Sequence, residues 1–269
     1  MDTNELRGGS ALVTGASRGL GRAIATELVH RGYPTIASMR RTSDGAGLDP
    51  AIAVRALDVT AAAPDLPDDL HVVVNNAGVE TDNLPIEHGD IDAHWRYLFE
   101  ANVFGLARVC AAAVPVLRRN GGGVICNVTS SSILAPVPFL GMYRASKAAV
   151  SAMCESLQAE VSGFGIRVVE VMPGPIITDM LLGGDHPAEA IAYDDYRDHA
   201  QAMYEQRSAI RDAYTPADVA AARVVDAIED ADGPMRYGCD PVSDGLLAGW
   251  RTTPHDQWFA QMLGAMQPR

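Results

Sequence analysis

The sequence predicts an α/β protein, a doubly wound parallel sheet of about seven strands with helices on both faces. Three observations carry that prediction. Short apolar runs rich in Val and Ile alternate with segments of helical period, the pattern of β-α-β units. A glycine-rich turn joins the first run to the first helical segment. The 269 residues are 48% hydrophobic and 20% charged, with mean hydropathy +0.01, so one continuous core can be built.

Taken in order, a strand is expected over 10–14, a helix over 19–31 and a second strand over 34–39. A third strand ends on Leu57-Asp58, and a fourth, 71–74, enters Asn75-Asn76-Ala77-Gly78. A long helix is expected over 91–119, stopped by Asn120-Gly121-Gly122-Gly123, because glycine accepts the backbone conformation that ends a helix. A fifth strand covers 124–128, a helix begins near Met142, and a sixth strand, 167–171, runs into Pro173-Gly174-Pro175. Residues 181–214 read as a substrate-binding insert, with Leu181, Leu182, Tyr193, Tyr196 and Met203 among acids and Met180 just before it. Thr215-Pro216-Ala217-Asp218 reads as a helix start with Thr215 as N-cap and Pro216 in the first position. Gly233-Pro234 closes that helix, and a short strand at 235–237 precedes an amphipathic C-terminal segment. The connections 41–51 and 60–69 are short, so helices there are expected to be truncated or absent. Without repeats or a linker, residues 1–269 read as one domain.

Composition narrows the function. A net charge of −13 and a pI near 4.8 argue against nucleic acid or an anionic membrane as partner, since both reward basic surfaces. No unbroken apolar run approaches the roughly 18 residues that span a bilayer. The polar start, residues 1–7, does not resemble a signal peptide, so a cytoplasmic location is expected. Cys110, Cys126, Cys154 and Cys239 are widely spaced and the seven histidines scattered; no metal site is expected, and the cysteines read as buried thiols in a reducing compartment.

The chemistry-bearing residues follow the strands. In Thr14-Gly15-Ala16-Ser17-Arg18-Gly19-Leu20-Gly21, a strand–turn–helix context brings backbone N–H groups and a helix N-terminus against a pyrophosphate. Gly15 permits the tight turn, Gly19 the close approach and Gly21 close helix–strand packing; Ser17, Arg18 and Leu20 complete the candidate contacts. At the end of the second strand, where NAD sites usually carry an acid, stand Met39, Arg40 and Arg41. Arg18 and Arg40 can pair with a 2′-phosphate, so NADP(H) is favoured over NAD(H). Asp58 and Val59 fit an adenine-edge contact, and the small residues of Asn76, Ala77 and Gly78 let backbone approach the cofactor. Tyr143 and Lys147 stand i and i+4 on one helix and share a face. Lys147 is the one lysine in a chain that otherwise uses arginine. An ammonium there favours the phenolate and lowers the phenol pKa. Ser130 precedes Tyr143 by thirteen positions, at a strand end facing the crevice, where a hydroxyl stabilises charge on a substrate oxygen. With Ser131 and Ser132 adjacent, the assignment stays open by one position.

Together these motifs resemble the short-chain dehydrogenase/reductase family over nearly the whole chain: Thr14-Gly-x-x-x-Gly-x-Gly21, Asn75-Asn-Ala-Gly78, Asn102, Ser130, Tyr143-x-x-x-Lys147 and Pro173-Gly174. The resemblance implies a Rossmann fold and NADP(H)-linked hydride transfer on a ketone or secondary alcohol. It implies Tyr143 as general acid/base, Ser130 orienting the carbonyl, Lys147 holding the nicotinamide ribose, and Asn102 supporting a water-linked proton relay. Pro173, Gly174, the Ile176 backbone and Thr178 would hold the nicotinamide carboxamide. It also implies a homodimer or homotetramer. Tyr237 and 240–250 resemble members acting on steroids, retinoids and similar lipophilic alcohols. The short connections 41–51 and 60–69 depart from the family pattern. Two other readings of the scaffold are an epimerase or dehydratase, which usually has a different glycine spacing, and a non-catalytic dinucleotide sensor, which would be expected to lose Ser130, Tyr143 or Lys147.

Overall fold

A computed structural model describes residues 1–61, 64–183 and 187–266, with 182 and 183 described by backbone alone. Seven strands form one parallel sheet in the order β3-β2-β1-β4-β5-β6-β9. They are β1 (Ser10–Thr14), β2 (Thr35–Met39), β3 (Ala53–Ala56), β4 (Leu70–Asn75), β5 (Gly123–Val128), β6 (Ile166–Val171) and β9 (Arg236–Tyr237). A separate two-stranded pair joins β7 (Ile176–Ile177) to β8 (Thr215–Pro216). The order reverses between β1 and β4, which opens a crevice at the carboxyl ends of the strands.

Residue alternation within the strands builds two cores. Ala11, Val13, Val72, Val74, Val124, Cys126, Val169 and Val171 face α2 (Gly19–His30) and α7 (Ala217–Glu229). Leu12, Val73, Ile125 and Val168 face α3 (Ile91–Arg119) and α4 (Gly141–Val161). Both faces are covered, so the strands read as continuous apolar runs. The remaining helices are α1 (Thr3–Arg7), α5 (Asp179–Gly183), α6 (Arg197–Ala209), α8 (Pro241–Thr252) and α9 (His255–Met266).

The structure departs from the sequence expectation in five places. The third strand stops at Ala56, two residues before Asp58, because pairing with β2 ends at Met39. Thr215 is not an N-cap: its N–H donates to Pro175 O at 3.0 Å, drawing Thr215–Pro216 into β8, and the helix starts at Ala217. The N-terminal residues form α1, closed by a capping box between Asp2 and Glu5. The long helix turns π-helical at Ile91–Arg96 and Glu100–Gly105. It also contains an 18-residue window of mean hydropathy 1.4, half of it buried; interrupted runs conceal an average that spanning length would satisfy. The β2–β3 connection is a single turn at Thr42–Gly45, and no helix joins β3 to β4 among the described residues, as the short spacings predict.

Candidate active site

The glycine-rich loop is shaped by contacts that leave no room for side chains. Gly15 has φ +66°, and a Cβ there would lie 2.7 Å from Ala77 Cα. A Cβ on Gly21 would meet Asn76 Nδ2 at 2.3 Å and Gly15 O at 2.6 Å. Thr14, which opens the glycine motif, ties the two strand ends together: its hydroxyl accepts from Asn76 N at 3.1 Å and Ala77 N at 3.0 Å. The Asn76 amide donates to Thr14 O and Gly15 O, so its side chain braces the loop and leaves the approach surface to backbone. Arg18 occupies the N-cap of α2 in extended conformation without a side-chain cap bond. The first-turn N–H groups of a helix so capped face the crevice with no protein side chain accepting from Arg18's position. Ser17 and Leu20 are partly buried beside them.

On the rim past β2 and β3, Arg40 and Arg18 are exposed. Arg41 differs, being paired with Asp44. The Asp58 carboxylate accepts from Thr60 N at 2.9 Å and Thr60 Oγ1 at 2.8 Å. These bonds, with a smaller pull from Arg40, hold it below the usual carboxylate range. Val59 packs where Gly105 leaves space on α3, and its carbonyl accepts from Arg108. Arg22 grips the truncated connection through the carbonyls of Ala46 and Gly47.

At the carboxyl end of β5, Ser130 is 9% exposed, and its side chain opposes the upward push on the Tyr143 phenol. Of the three serines, Ser130 is the one whose side chain acts on the Tyr143 phenol. Ser131 donates its N–H to Pro173 O at 2.9 Å, and Ser132 Oγ lies behind Ser130 Oγ at 2.9 Å. Arg144, a residue the sequence reading passed over, donates Nε to Ser132 O at 2.7 Å and fixes the turn from the helix side.

Lys147 is 6% exposed and donates Nζ to Val128 O at 3.0 Å. Its Nζ lies 5.9 Å from the Tyr143 ring centroid. Burial lowers the ammonium from 10.5 to about 8. The phenol is not lowered as expected. Burial, then the Glu80 carboxylate, push Tyr143 above the ordinary phenol range, and Ser130 opposes them. The physical reason is desolvation: the phenolate would lose more hydration than this arrangement returns.

Asn102, in the second π-helical turn, is 1% exposed. Its Oδ1 accepts from Val79 N at 2.8 Å, and its Nδ2 donates to Val79 O and Ser146 Oγ. The side chain therefore clamps the strand end after Gly78, where a Cβ would lie 3.2 Å from Asn102 Oδ1 and 3.5 Å from Lys147 Nζ. The segment 173–178 arches across the crevice. Pro173 meets Ser131, Ile176 pairs with Thr215, and the Thr178 side chain lies 3.3 Å from where a Gly19 Cβ would stand.

The expected insert is docked rather than detached, though residues 184–186 of it lie outside the described residues. Tyr193 stacks on His88 at 3.8 Å and joins Val79, Met142 and Tyr143 in one cluster. Met203 and Tyr196 pack on Phe139, which holds a left-handed φ of 63°, a strained conformation for a bulky residue. Among the described residues no group of His, Cys, Asp and Glu could hold a metal ion.

A family model described as short chain dehydrogenase matches residues 10–186. The chain is 34% identical over 206 residues to a short-chain type dehydrogenase/reductase of Picea abies, covering 68% of this chain and 76% of that protein. It is 32% identical over 211 residues to an NADPH-dependent aldehyde reductase-like protein, chloroplastic, of Arabidopsis thaliana, covering 68% and 77%. A solved short chain dehydrogenase from Burkholderia cenocepacia J2315, in complex with NADP, matches with TM-score 0.74 at 26% identity over 98% of this chain and 99% of that one. The matched stretch opens on the first residue of β1 and contains every residue from the glycine loop to Thr178, so geometry and likeness converge on the same residues: the chain belongs to the short-chain dehydrogenase/reductase family.

Proposed function

We propose that this chain is an NADP(H)-dependent oxidoreductase acting on a partly hydrophobic ketone or secondary alcohol, with Tyr143 as general acid/base. The observation that carries the reading is the meeting of Ser130, Tyr143 and buried Lys147 at the carboxyl ends of the strands. The residues fit a dinucleotide. Gly15, Gly19 and Gly21 clear a path to the α2 N-terminus, where backbone N–H groups suit a pyrophosphate. Exposed Arg18 and Arg40 suit a 2′-phosphate, and Asp58 with Val59 border the adenine side. Lys147 uses one of its donors on Val128 O and retains others for ribose hydroxyls. Gly78, Pro173, Gly174, Ile176 and Thr178 line the remaining length. The NADP and NADPH in the names of similar proteins agree with this preference.

When bound, the nicotinamide supplies or accepts the hydride. The protein's part is positioning and proton transfer. Ser130 donates its one hydroxyl proton to the substrate oxygen, beside the Tyr143 hydroxyl. Tyr143, kept protonated by burial and Glu80, donates its proton to that oxygen as reduction proceeds. Lys147 stabilises the phenolate left behind. The aromatic and apolar side chains of Tyr193 and Val79, packed with Tyr143, favour a substrate with apolar surface. Exposed Ile91, Tyr97 and Phe104 along α3 offer a face for the homodimer or homotetramer.

The test follows reduced-nicotinamide absorbance with NADPH and NADH over ketones, aldehydes, quinones and steroids. Turnover should favour NADPH and fall about 10²–10⁴-fold in Tyr143→Phe, with NADPH affinity nearly unchanged. Equal loss of binding and turnover would sink the role given to Tyr143, and a preference for NADH would sink the cofactor assignment.

A further inference from the structure

After β9 the chain enters α8 through Asp240, whose carboxylate is 0% exposed. Asp240 Oδ1 accepts the Ser243 N–H at 2.9 Å, the ordinary work of an N-cap. Oδ2 accepts the Ser243 hydroxyl at 2.6 Å and, from outside the helix, the Gly174 N–H at 2.7 Å. A cap does not need that last bond; serine or asparagine caps a helix as well. The bond reaches back 66 positions to the arch that joins the serine turn to the glycine loop. Gly174 is suited to it, since a Cβ there would stand 2.5 Å from Asp240 Oδ1.

We propose that Asp240 is a positioning residue for hydride transfer: through the Gly174 amide it fixes the 173–178 arch against the nicotinamide end of the cofactor. The proposal rests on the reading that this arch borders the nicotinamide. The arch is held at Pro173 by Ser131, at Gly174 by Asp240 and at Ile176 by Thr215. Asp240 supplies the one charged anchor of the three, and a charge-assisted bond in a buried setting is stronger than a neutral one. The C-terminal strand and helix thereby act on the chemistry without touching substrate.

Two variants separate this role from helix capping. Asp240→Asn and Asp240→Ser both retain an N-cap acceptor. Asparagine has one acceptor oxygen for the three donors that the carboxylate serves, and serine is too short to serve the helix and the arch together. The readouts are affinity for NADPH, affinity for 2′-phospho-ADP-ribose (which lacks the nicotinamide), kcat, melting temperature and amide hydrogen exchange at Gly174. The expected result is NADPH affinity or kcat lowered about tenfold or more, with 2′-phospho-ADP-ribose affinity kept and Gly174 exchange accelerated while Ser243 stays protected. Parallel loss of both ligands with a lowered melting temperature overturns the proposal in favour of a merely structural role. Unchanged exchange and unchanged NADPH affinity overturn it as well. If Gly174 exchange accelerates and neither NADPH affinity nor kcat moves, the arch does not border the nicotinamide; that outcome rejects the proposal through its premise, and a wild type inert toward every carbonyl marks the failure as one of the functional reading.

Discussion

Lys147 shows at one residue how function is bought with stability. Holding its ammonium in a buried site moves its pKa from 10.5 to about 8, which costs about 3 kcal/mol of charging free energy. An arginine would stay charged whatever its surroundings and could not fill this space as a compact donor. The shift also sets a pH limit. Below about 8 the side chain is charged, and as pH rises through that value the charge is lost. Tyr143 is pushed upward and stays neutral across the same range. The kcat/KM for NADPH in carbonyl reduction, which reports the free enzyme, should therefore decline above pH 8 with a one-proton slope. A steady-state profile from pH 6 to 10 checks this, and a profile flat through pH 9 would rule out Lys147 as the group that sets the limit.

Among elements, α2 and α8 give a matched comparison, because each contains a glycine in a helix. Alanine gains about 1 kcal/mol over glycine in a helix interior. At Gly245, in α8, a Cβ meets nothing within 4 Å, so Gly245→Ala should stabilise the protein by about that amount. At Gly21 the same Cβ would overlap the Asn76 amide and the Gly15 carbonyl. Overpacking of that kind costs about 1–3 kcal/mol, and it would also break the brace between β1 and β4. Gly21→Ala should lower both the urea midpoint and the affinity for NADPH. Equal effects of the two substitutions would show that helix propensity, not close approach, governs Gly21.

Across the whole molecule, all four cysteines are buried free thiols, two in each core: Cys126 and Cys239 on one face, Cys110 and Cys154 on the other. Burial pushes Cys110, Cys126 and Cys154 from 9.0 up to about 12, and Cys239 upward too. Unfolded thiols ionise at lower pH than folded ones, so this contribution to stability is intact below about pH 9 and lost as pH climbs through the folded values. Four such groups give a slope of up to about 5 kcal/mol per pH unit. Lys147 works in the opposite sense between about 8 and 10.5 and offsets one of the four there. Unfolding free energy from urea titrations should fall steeply only above about pH 9, and Cys126→Ala should flatten that slope by about 1.4 kcal/mol per pH unit. An unchanged slope would mean that other groups drive alkaline unfolding.

What the sequence by itself determined is local in origin. The β-α-β order follows from apolar runs and helical period, the glycine loop from residues that must lack a Cβ, and the pairing of Tyr143 with Lys147 from four-residue spacing on one helix. Each of these is written within a single element or across one turn. The tertiary structure decided whatever depended on elements distant in the chain. It brought the Ser130 side chain within range of the Tyr143 phenol, and turned Thr215 from an expected cap into a strand residue by pairing it with Ile176. It spent the Asn102 side chain on Val79, and buried Glu170 of β6 against Arg236 of β9 and the hydroxyls of Thr129 and Ser151. It also joined Asp240 to Gly174. A hydrogen bond between residues far apart in sequence leaves no periodic trace. It exists because sheet twist and helix packing bring donor and acceptor within 3 Å or so, and burial then raises the cost of leaving either unpaired.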